Sequence, residues 1–233
     1  MMSKVIAING SPQMEKGNTA MILSSFIQGM MDAGADVELF YASRLKVKPC
    51  ICGEMYCWYR KPGECFIKDD MQGLYPQLKK ADILILATPV YIPLPGDMQN
   101  LINRLCPLVK PLLETRQGRT RARFHDNVQI QKIVLVSTSG WWEKGNFGTV
   151  LRIAQELAED ASVEFAGAVL RPHAFLIKQE GQLTKEGESV LEAAKNAGYD
   201  LIIKGSMNKE TLEEINRPLI SEDELRNRYN QIL

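Results

Sequence analysis

The chain has little that would make it secreted, membrane-bound or polyanion-seeking. Its 233 residues carry 28 basic and 28 acidic side chains, a formal charge of zero, so the balance asks for neither nucleic acid nor an anionic membrane surface. It has no apolar run of about 18 residues and no signal-type hydrophobic region ahead of its first strand, which leads to the expectation of a soluble cytoplasmic protein without a membrane partner. The only two histidines, His125 and His173, are too far apart to form a metal pattern. No triad, paired carboxylates or H-E-x-x-H motif suggests hydrolysis. Five cysteines, an odd number with four crowded between Cys50 and Cys65, argue against a disulfide framework and for reduced thiols or a metal.

What is present is an alternation of strand and helix signals. Residues 4 to 9 form a continuous apolar run, as in a strand buried on both faces. Ile22, Phe26 and Met30 beside Leu23, Ile27 and Met31 make one apolar helical face, which Gly34 ends. Val37 to Tyr41 is a short second strand, residues 43 to 68 form no regular element, and residues 69 to 80 suit a short helix. Ile83 to Ala87 is a third strand, followed by Met98, Leu101, Ile102 and Leu105 at helical spacing until Pro107 and Pro111 intervene. Residues 133 to 136 and 163 to 170 are strands four and five, with helices over 146 to 159 and 185 to 204. This alternation predicts an α/β fold, a doubly wound five-stranded parallel sheet with helices on both faces. Residues 1 to 205 read as one domain. Residues 206 to 233 read as a helical extension, with a capping box at Ser221 to Glu224 before Leu225 to Leu233, expected to contact a neighbouring subunit.

In such sheets ligands bind beyond the carboxyl ends of the strands, which singles out the loops over residues 10 to 19, 88 to 96 and 138 to 148. The first, Asn9-Gly10-Ser11-Pro12-Gln13-Met14-Glu15-Lys16-Gly17-Asn18-Thr19, offers backbone N–H groups, two hydroxyls and a helix N-terminus to a phosphate. It matches neither G-x-G-x-x-G nor the P-loop, because Gly17 is followed by Asn18 rather than lysine. The competing reading is an ordinary turn capped by Asn18. The second loop holds three prolines and Tyr91, which is either a wall for a ligand or a packing aromatic. The third offers Thr138, Ser139 and Gly140 with Trp141 and Trp142, whose indoles face opposite sides if the segment is extended: one toward the ligand, the other toward a subunit contact. Together these loops suit a flat, phosphate-tailed aromatic cofactor.

As a set, Gly10-Ser11-Pro12 with Gly17-Asn18-Thr19, Thr88-Pro89-Val90-Tyr91 and Ser137-Thr138-Ser139-Gly140 resemble the loops of flavodoxin-like NAD(P)H-dependent FMN reductases. Pro49-Cys50 through Cys65-Phe66-Ile67-Lys68-Asp69-Asp70-Met71 is similar to their iron-sulfur flavoprotein-like branch. The resemblance, over about residues 3 to 175, implies a flavodoxin-like strand order 2-1-3-4-5 and bound FMN. Ser11, Gln13, Gly17, Asn18 and Thr19 would hold the phosphate, Pro89, Val90 and Tyr91 would flank the isoalloxazine, and Thr138, Ser139, Gly140 and Trp141 would approach the ring edge or ribityl chain. Gln13 departs from the arginine of many relatives, removing one charge-assisted phosphate contact. The implied activity is electron transfer from NAD(P)H through flavin to a small-molecule or protein acceptor, in a homodimer or homotetramer.

The cysteine pattern, Cys50-x-Cys52-x4-Cys57-x7-Cys65, departs from the even spacing of cluster-bearing relatives. These four could still hold a [4Fe-4S] cluster or a tetrahedral zinc, or stay metal-free with Cys50 and Cys52 as a redox-active or reduced pair. An FMN and iron-sulfur electron carrier, or a thiol or metal sensor without cofactor, are the alternative functions. Cys106, on an apolar helical face, reads as a core residue and His173 as structural. Arg116, Arg119, Arg121 and Arg123 read as a solvated basic loop, or as a contact for NADPH phosphates or an acidic partner.

Overall fold

The computed structural model describes residues 2–231. In chain order its elements are β1 (Lys4–Asn9), α1 (Asn18–Asp32), β2 (Asp36–Tyr41), the single turn α2 (Tyr56–Tyr59), α3 (Met71–Leu78), β3 (Ile83–Pro89) and α4 (Gly96–Asn103). They continue with β4 (Val109–Arg116), β5 (Arg119–Phe124), β6 (Lys132–Thr138), α5 (Gly148–Ala161), β7 (Glu164–Arg171), α6 (Lys185–Lys204), α7 (Lys209–Asn216) and α8 (Glu222–Asn230). A parallel sheet runs β2-β1-β3-β6-β7, the expected 2-1-3-4-5 order once the inserted β4–β5 pair is left out.

The alternation of side chains along each strand divides the interior into two layers. Val5 and Ala7, Ile83, Ile85 and Ala87, and Val134 and Val136 face α1 and α6, where Ile22, Phe26, Met30, Val190, Ala194 and Leu201 meet them. Ile6, Ile8, Leu84, Leu86 and Ile133 face the other way, onto Leu74 and Leu78 of α3, Leu101 of α4 and Ala158 of α5. Helices α1 and α6 approach each other closely: a Cβ on Gly29 would lie 1.8 Å from Lys195 O, and one on Gly198 1.9 Å from Phe26 O.

Two segments differ from the sequence reading. The basic stretch is a β-hairpin, β4–β5, because Arg119, Arg121 and Arg123 alternate with Thr120, Ala122 and Phe124, of which Ala122 and Phe124 are buried. Gln117 and Gly118 between the strands both have positive φ (49° and 72°), the backbone of a two-residue hairpin turn. Its arginines are committed within the chain. Arg119 and Arg121 pair with Glu156 and Glu159, Arg121 also with Asp160, and Arg116 and Arg123 with Glu114. In the extension, α7 adds a helix that the sequence reading missed. Its α8 begins at the foreseen cap, where Ser221 Oγ accepts the Glu224 N–H at 3.1 Å, and ends at Asn230; residues 232 and 233 of the expected helix lie outside the described residues. Ile215 and Leu225 are buried against the chain's own body. Among the described residues no helix is long and apolar enough to cross a membrane.

Candidate functional site

Three loops leave the carboxyl edge of the sheet side by side, and Thr138 is where they meet. Its Oγ1 lies 2.7 Å from Thr19 Oγ1, at the start of α1, and its carbonyl accepts the Val90 N–H at 2.8 Å. The Ser137 hydroxyl donates to Thr88 O at 2.7 Å, and the Gly10 N–H donates to Ala87 O at 2.7 Å. A Cβ on Gly10 would meet Met98 Cβ at 2.6 Å, so the first loop also rests directly on α4. Among the described residues, every buried polar side chain except Arg104 belongs to this edge: Asn9, Ser11, Thr19, Thr88, Ser137, Thr138, Ser139, Arg171 and His173. Burying this many polar groups is unfavourable unless they are bonded or serve a ligand.

The first loop forms an anion cradle. Gly17 caps α1 without a side-chain hydrogen bond, so the reading of Asn18 as a cap does not hold; Asn18 is the first helical residue. A Cβ on Gly17 would stand 2.8 Å from Ser11 Oγ and 3.0 Å from Gln13 Cβ, and glycine keeps that hollow open. The Ser11 N–H donates to Asn9 Oδ1 at 2.8 Å and the Gln13 N–H to Ser11 Oγ at 3.3 Å. The first amide of α1 to bond back is Ala20 N–H, to Gly17 O at 3.0 Å. The N–H groups of Asn18 and Thr19, and the buried Asn9 Nδ2, have no partner among the described residues. Orphan donors at the positive end of a fifteen-residue helix fit a phosphate. The loop's carboxylate, Glu15, is paired with Arg44 at 2.6 Å.

The other two loops supply surfaces. Pro89 and Val90 are half-buried, whereas Tyr91 is 51% exposed, so Tyr91 is not a packing aromatic. The Ser139 N–H donates to Arg171 O at 3.0 Å and the Trp141 N–H to Ser139 Oγ at 3.0 Å, leaving Gly140 exposed. Trp141, 67% exposed, stacks against Tyr229 of α8 at 6.5 Å between ring centroids. Trp142 turns away and donates from Nε1 to Ile220 O at 3.0 Å. All twelve residues expected at the cofactor thus lie in three adjoining loops or on the strand and helix ends that border them.

Arg171 and His173, both fully buried, fasten the third loop to the extension. The Arg171 guanidinium donates to Pro172 O and Ile215 O at 2.7 Å and to Arg217 O at 3.0 Å, against the carbonyl end of α7, where a cation is favoured. His173 Nε2 accepts from Arg171 Nη2 at 2.7 Å and from the Leu219 N–H at 3.0 Å. Two donors on Nε2 require a neutral ring with its proton on Nδ1. Burial and the Arg171 charge hold His173 down at about 4, from 6.5. The unfolded chain therefore takes up a proton near pH 6.5 that the fold refuses until about pH 4. Stability should fall on acidification across that window, by on the order of 3 kcal/mol. In urea unfolding, His173→Gln is expected to be less stable than the wild type at pH 7.5 and to show a shallower pH dependence between pH 6.5 and 4.

Asp69, in the Cys-x-x-x-Asp-Asp-Met ending, has a structural role. Arg104 grips it in both directions, Nη1 to Oδ2 at 2.6 Å and Nη2 to Oδ1 at 3.1 Å, with side chains 1% and 2% exposed. Arg104 Nη1 also reaches Lys48 O at 2.9 Å, while the Lys48 N–H donates to Asp69 at 2.9 Å and the Lys46 N–H to Asp70 at 2.8 Å. These bonds clamp together the two ends of the cysteine-rich segment. Burial pushes the Asp69 carboxyl up, but the hydrogen bonds from Arg104 and Lys48 and the guanidinium charge more than reverse it, leaving it below its ordinary value. The signal for Arg104 was a charge on the apolar stripe of Met98, Leu101 and Leu105.

Within the segment, Cys50 and Cys52 are exposed and Cys57 and Cys65 are half-buried. Cys57 Sγ lies 3.7 Å from Cys106 Sγ, so Cys106 is not the plain core residue expected. Among the described residues no three His, Cys, Asp or Glu side chains converge closely enough to hold a metal ion. As arranged, Cys50, Cys52, Cys57 and Cys65 do not fit a four-thiolate site.

An iron-sulfur flavoprotein of Methanocaldococcus jannaschii is 33% identical over 106 residues, 45% of this chain and 53% of the relative; the chain spans about half the length of the curated relatives it matches. Among solved structures, an NAD(P)H:quinone oxidoreductase from Methanothermobacter marburgensis superposes with a TM-score of 0.58 at 18% identity, covering 86% of this chain and 98% of its own. An FMN-dependent NADH-azoreductase from Bacillus anthracis in complex with FMN superposes at 0.58 with 11% identity, covering 88% and 100%. At these identities the structural likeness shows the fold alone, the flavodoxin-like sheet. The family model described as NADPH-dependent FMN reductase matches residues 3–141, more than half of the chain, and its span takes in the first two loops of the candidate site and the start of the third, through Trp141. The chain belongs to the NADPH-dependent FMN reductase family.

Proposed function

We propose that this protein binds FMN at the carboxyl edge of β1, β3 and β6 and transfers electrons from NAD(P)H to a small acceptor such as a quinone or free flavin. The observation that carries the reading is the convergence on Thr138, which joins the phosphate cradle, the Tyr91 loop and the third loop through two short hydrogen bonds. Ser11, Gln13, Gly17, Asn18 and Thr19 would hold the phosphate, and the Asn18 and Thr19 amides supply donors that a phosphate completes. Pro89, Val90 and Tyr91 would line one side of the ring system, and Thr138, Ser139, Gly140 and Trp141 would meet its edge. When bound, FMN supplies the two-electron chemistry between nicotinamide and acceptor, and the protein supplies position and electrostatics. The exposed Tyr91 and Trp141 leave an aromatic-walled approach for a flat donor or acceptor.

Five free thiols suit a reducing compartment, the cytoplasm. Residues 1 to 205 would form the flavin-binding unit. The extension over 206 to 233, held at the third loop by Arg171, His173 and Trp142, would present its outer face to a second copy in a homodimer or homotetramer. The name of the curated relatives favours a second reading, an electron carrier with an added iron-sulfur cluster. The cysteine layout does not fit that group.

Anaerobic addition of NADPH or NADH to FMN-loaded protein tests the reading. Rapid bleaching of the flavin bands, reversed by a quinone, is expected; bands that bleach with dithionite but not with either nicotinamide would overturn the reductase reading. Thr138→Val keeps the side chain's shape while breaking its bond to Thr19. It should weaken FMN binding about tenfold, the loss of roughly 1.4 kcal/mol, as read by flavin fluorescence titration.

A further inference from the structure

We infer that Cys57 and Cys106 form a redox-active dithiol, a second redox site of this chain that closes to a disulfide between the cysteine-rich segment and the turn after α4. The two thiols are separated by 49 positions in sequence yet share an S–H···S contact of 3.7 Å. The approach is built by packing. The Gly63 N–H donates to Cys57 O at 3.1 Å, a Cβ on Gly63 would lie 3.8 Å from Pro107 O, and Tyr56 meets Phe66 edge to face at 5.2 Å. The clamp of Arg104 on Asp69 fixes the base of the same segment. Bringing the sulfurs from 3.7 Å to the roughly 2.0 Å of a disulfide needs a shift of a side-chain rotation's size. Cys50 and Cys52 are exposed, and among the described residues no third ligand converges on the Cys57–Cys106 pair to make it a metal site.

The chemistry is thiol–disulfide exchange with a small disulfide as oxidant. Burial raises both thiols, but contact with Cys106 draws Cys57 back down, whereas Cys106 is pushed up to about 12 by burial and the neighbouring Cys57. Cys57 thus ionises first and attacks. One sulfur of the small disulfide is retained as a mixed disulfide on Cys57 and the other leaves as a thiol. With the Cys57 charge gone, Cys106 loses a proton and displaces the second small thiol. A Cys57–Cys106 S–S bond forms, the external S–S bond breaks, the two cysteines lose two electrons, and the two released thiols carry both protons.

The test needs no flavin and does not depend on the reductase reading. Full-length protein purified without oxygen is treated with oxidised glutathione, alkylated, digested without reductant and mapped by mass spectrometry. The peptides of Cys57 and Cys106 should be joined, with Cys50, Cys52 and Cys65 linked to neither. Cys57→Ser should abolish the cross-link and leave Cys106 open to alkylation, while Cys52→Ser should retain it. Three results would overturn the inference: a cross-link among Cys50, Cys52, Cys57 and Cys65, full alkylation of both Cys57 and Cys106, or iron and sulfide in the anaerobic protein that disappear in Cys57→Ser.

Discussion

Arg104→Met should destabilise the fold by about 3–5 kcal/mol, the cost of leaving one member of a buried ion pair without the other. Arg104 is 1% exposed and its four hydrogen bonds are divided between the Asp69 carboxylate and the carbonyls of Lys48 and Ile67. Methionine replaces the stem but none of the donors. For a chain of this length such a loss lowers Tm by about 10 °C. With Arg104 gone, only the Lys48 and Met71 amides would oppose burial at Asp69, so its carboxyl would rise from its wild-type position below the ordinary value. Acidification through the carboxylate range should therefore narrow the gap between variant and wild type. The double variant Arg104→Met with Asp69→Leu removes both charges and should recover part of the loss. Thermal unfolding of the wild type and the two variants at pH 7.5 and pH 5 checks this; an Arg104→Met protein within 1 °C of the wild type would contradict the clamp.

Gly198→Ala should remove about 3 kcal/mol or more, at the upper end for overpacking by one methyl group. The new Cβ would stand 1.9 Å from Phe26 O and 2.9 Å from the Phe26 carbonyl carbon, backbone atoms that no rotamer change can move. Helices α1 and α6 would have to separate, opening the layer of Phe26, Met30, Ala194 and Leu201. Because α1 carries the phosphate cradle at its other end, FMN affinity should fall with stability. Gly34→Ala, where a Cβ meets nothing within 4 Å but φ is +88°, is the control: a smaller loss from backbone strain alone, with FMN affinity retained.

These two positions mark what was and was not legible in the sequence. The buried strands announced themselves as apolar runs, and their alternation with helical stripes was enough for the doubly wound sheet. The three candidate loops stood out by composition, with small polar residues, prolines and adjacent indoles at strand ends, although ordinary turns and helix starts draw on the same small polar residues and prolines. The β4–β5 hairpin was hidden because its alternating residues are arginines, which read as solvated charge until Glu114, Glu156 and Glu159 are seen opposite them. The Thr19–Thr138 bond and the Arg104–Asp69 pair join residues 119 and 35 positions apart, and local spacing carries no trace of such partners. Cys106 was misread for the same reason: its neighbour Cys57 comes from another part of the chain.

The central claim is that loops 10 to 19, 88 to 96 and 138 to 148 form one FMN site. Titration of the flavin-free protein with FMN, followed by flavin fluorescence, tests it most directly when wild type and Gly17→Ala are compared. One FMN should bind per chain, and the alanine, filling the hollow 2.8 Å from Ser11 Oγ, should weaken binding about tenfold or more with Tm little changed. A wild type that leaves FMN fluorescence untouched, or a Gly17→Ala protein that binds FMN as tightly as the wild type, would contradict it.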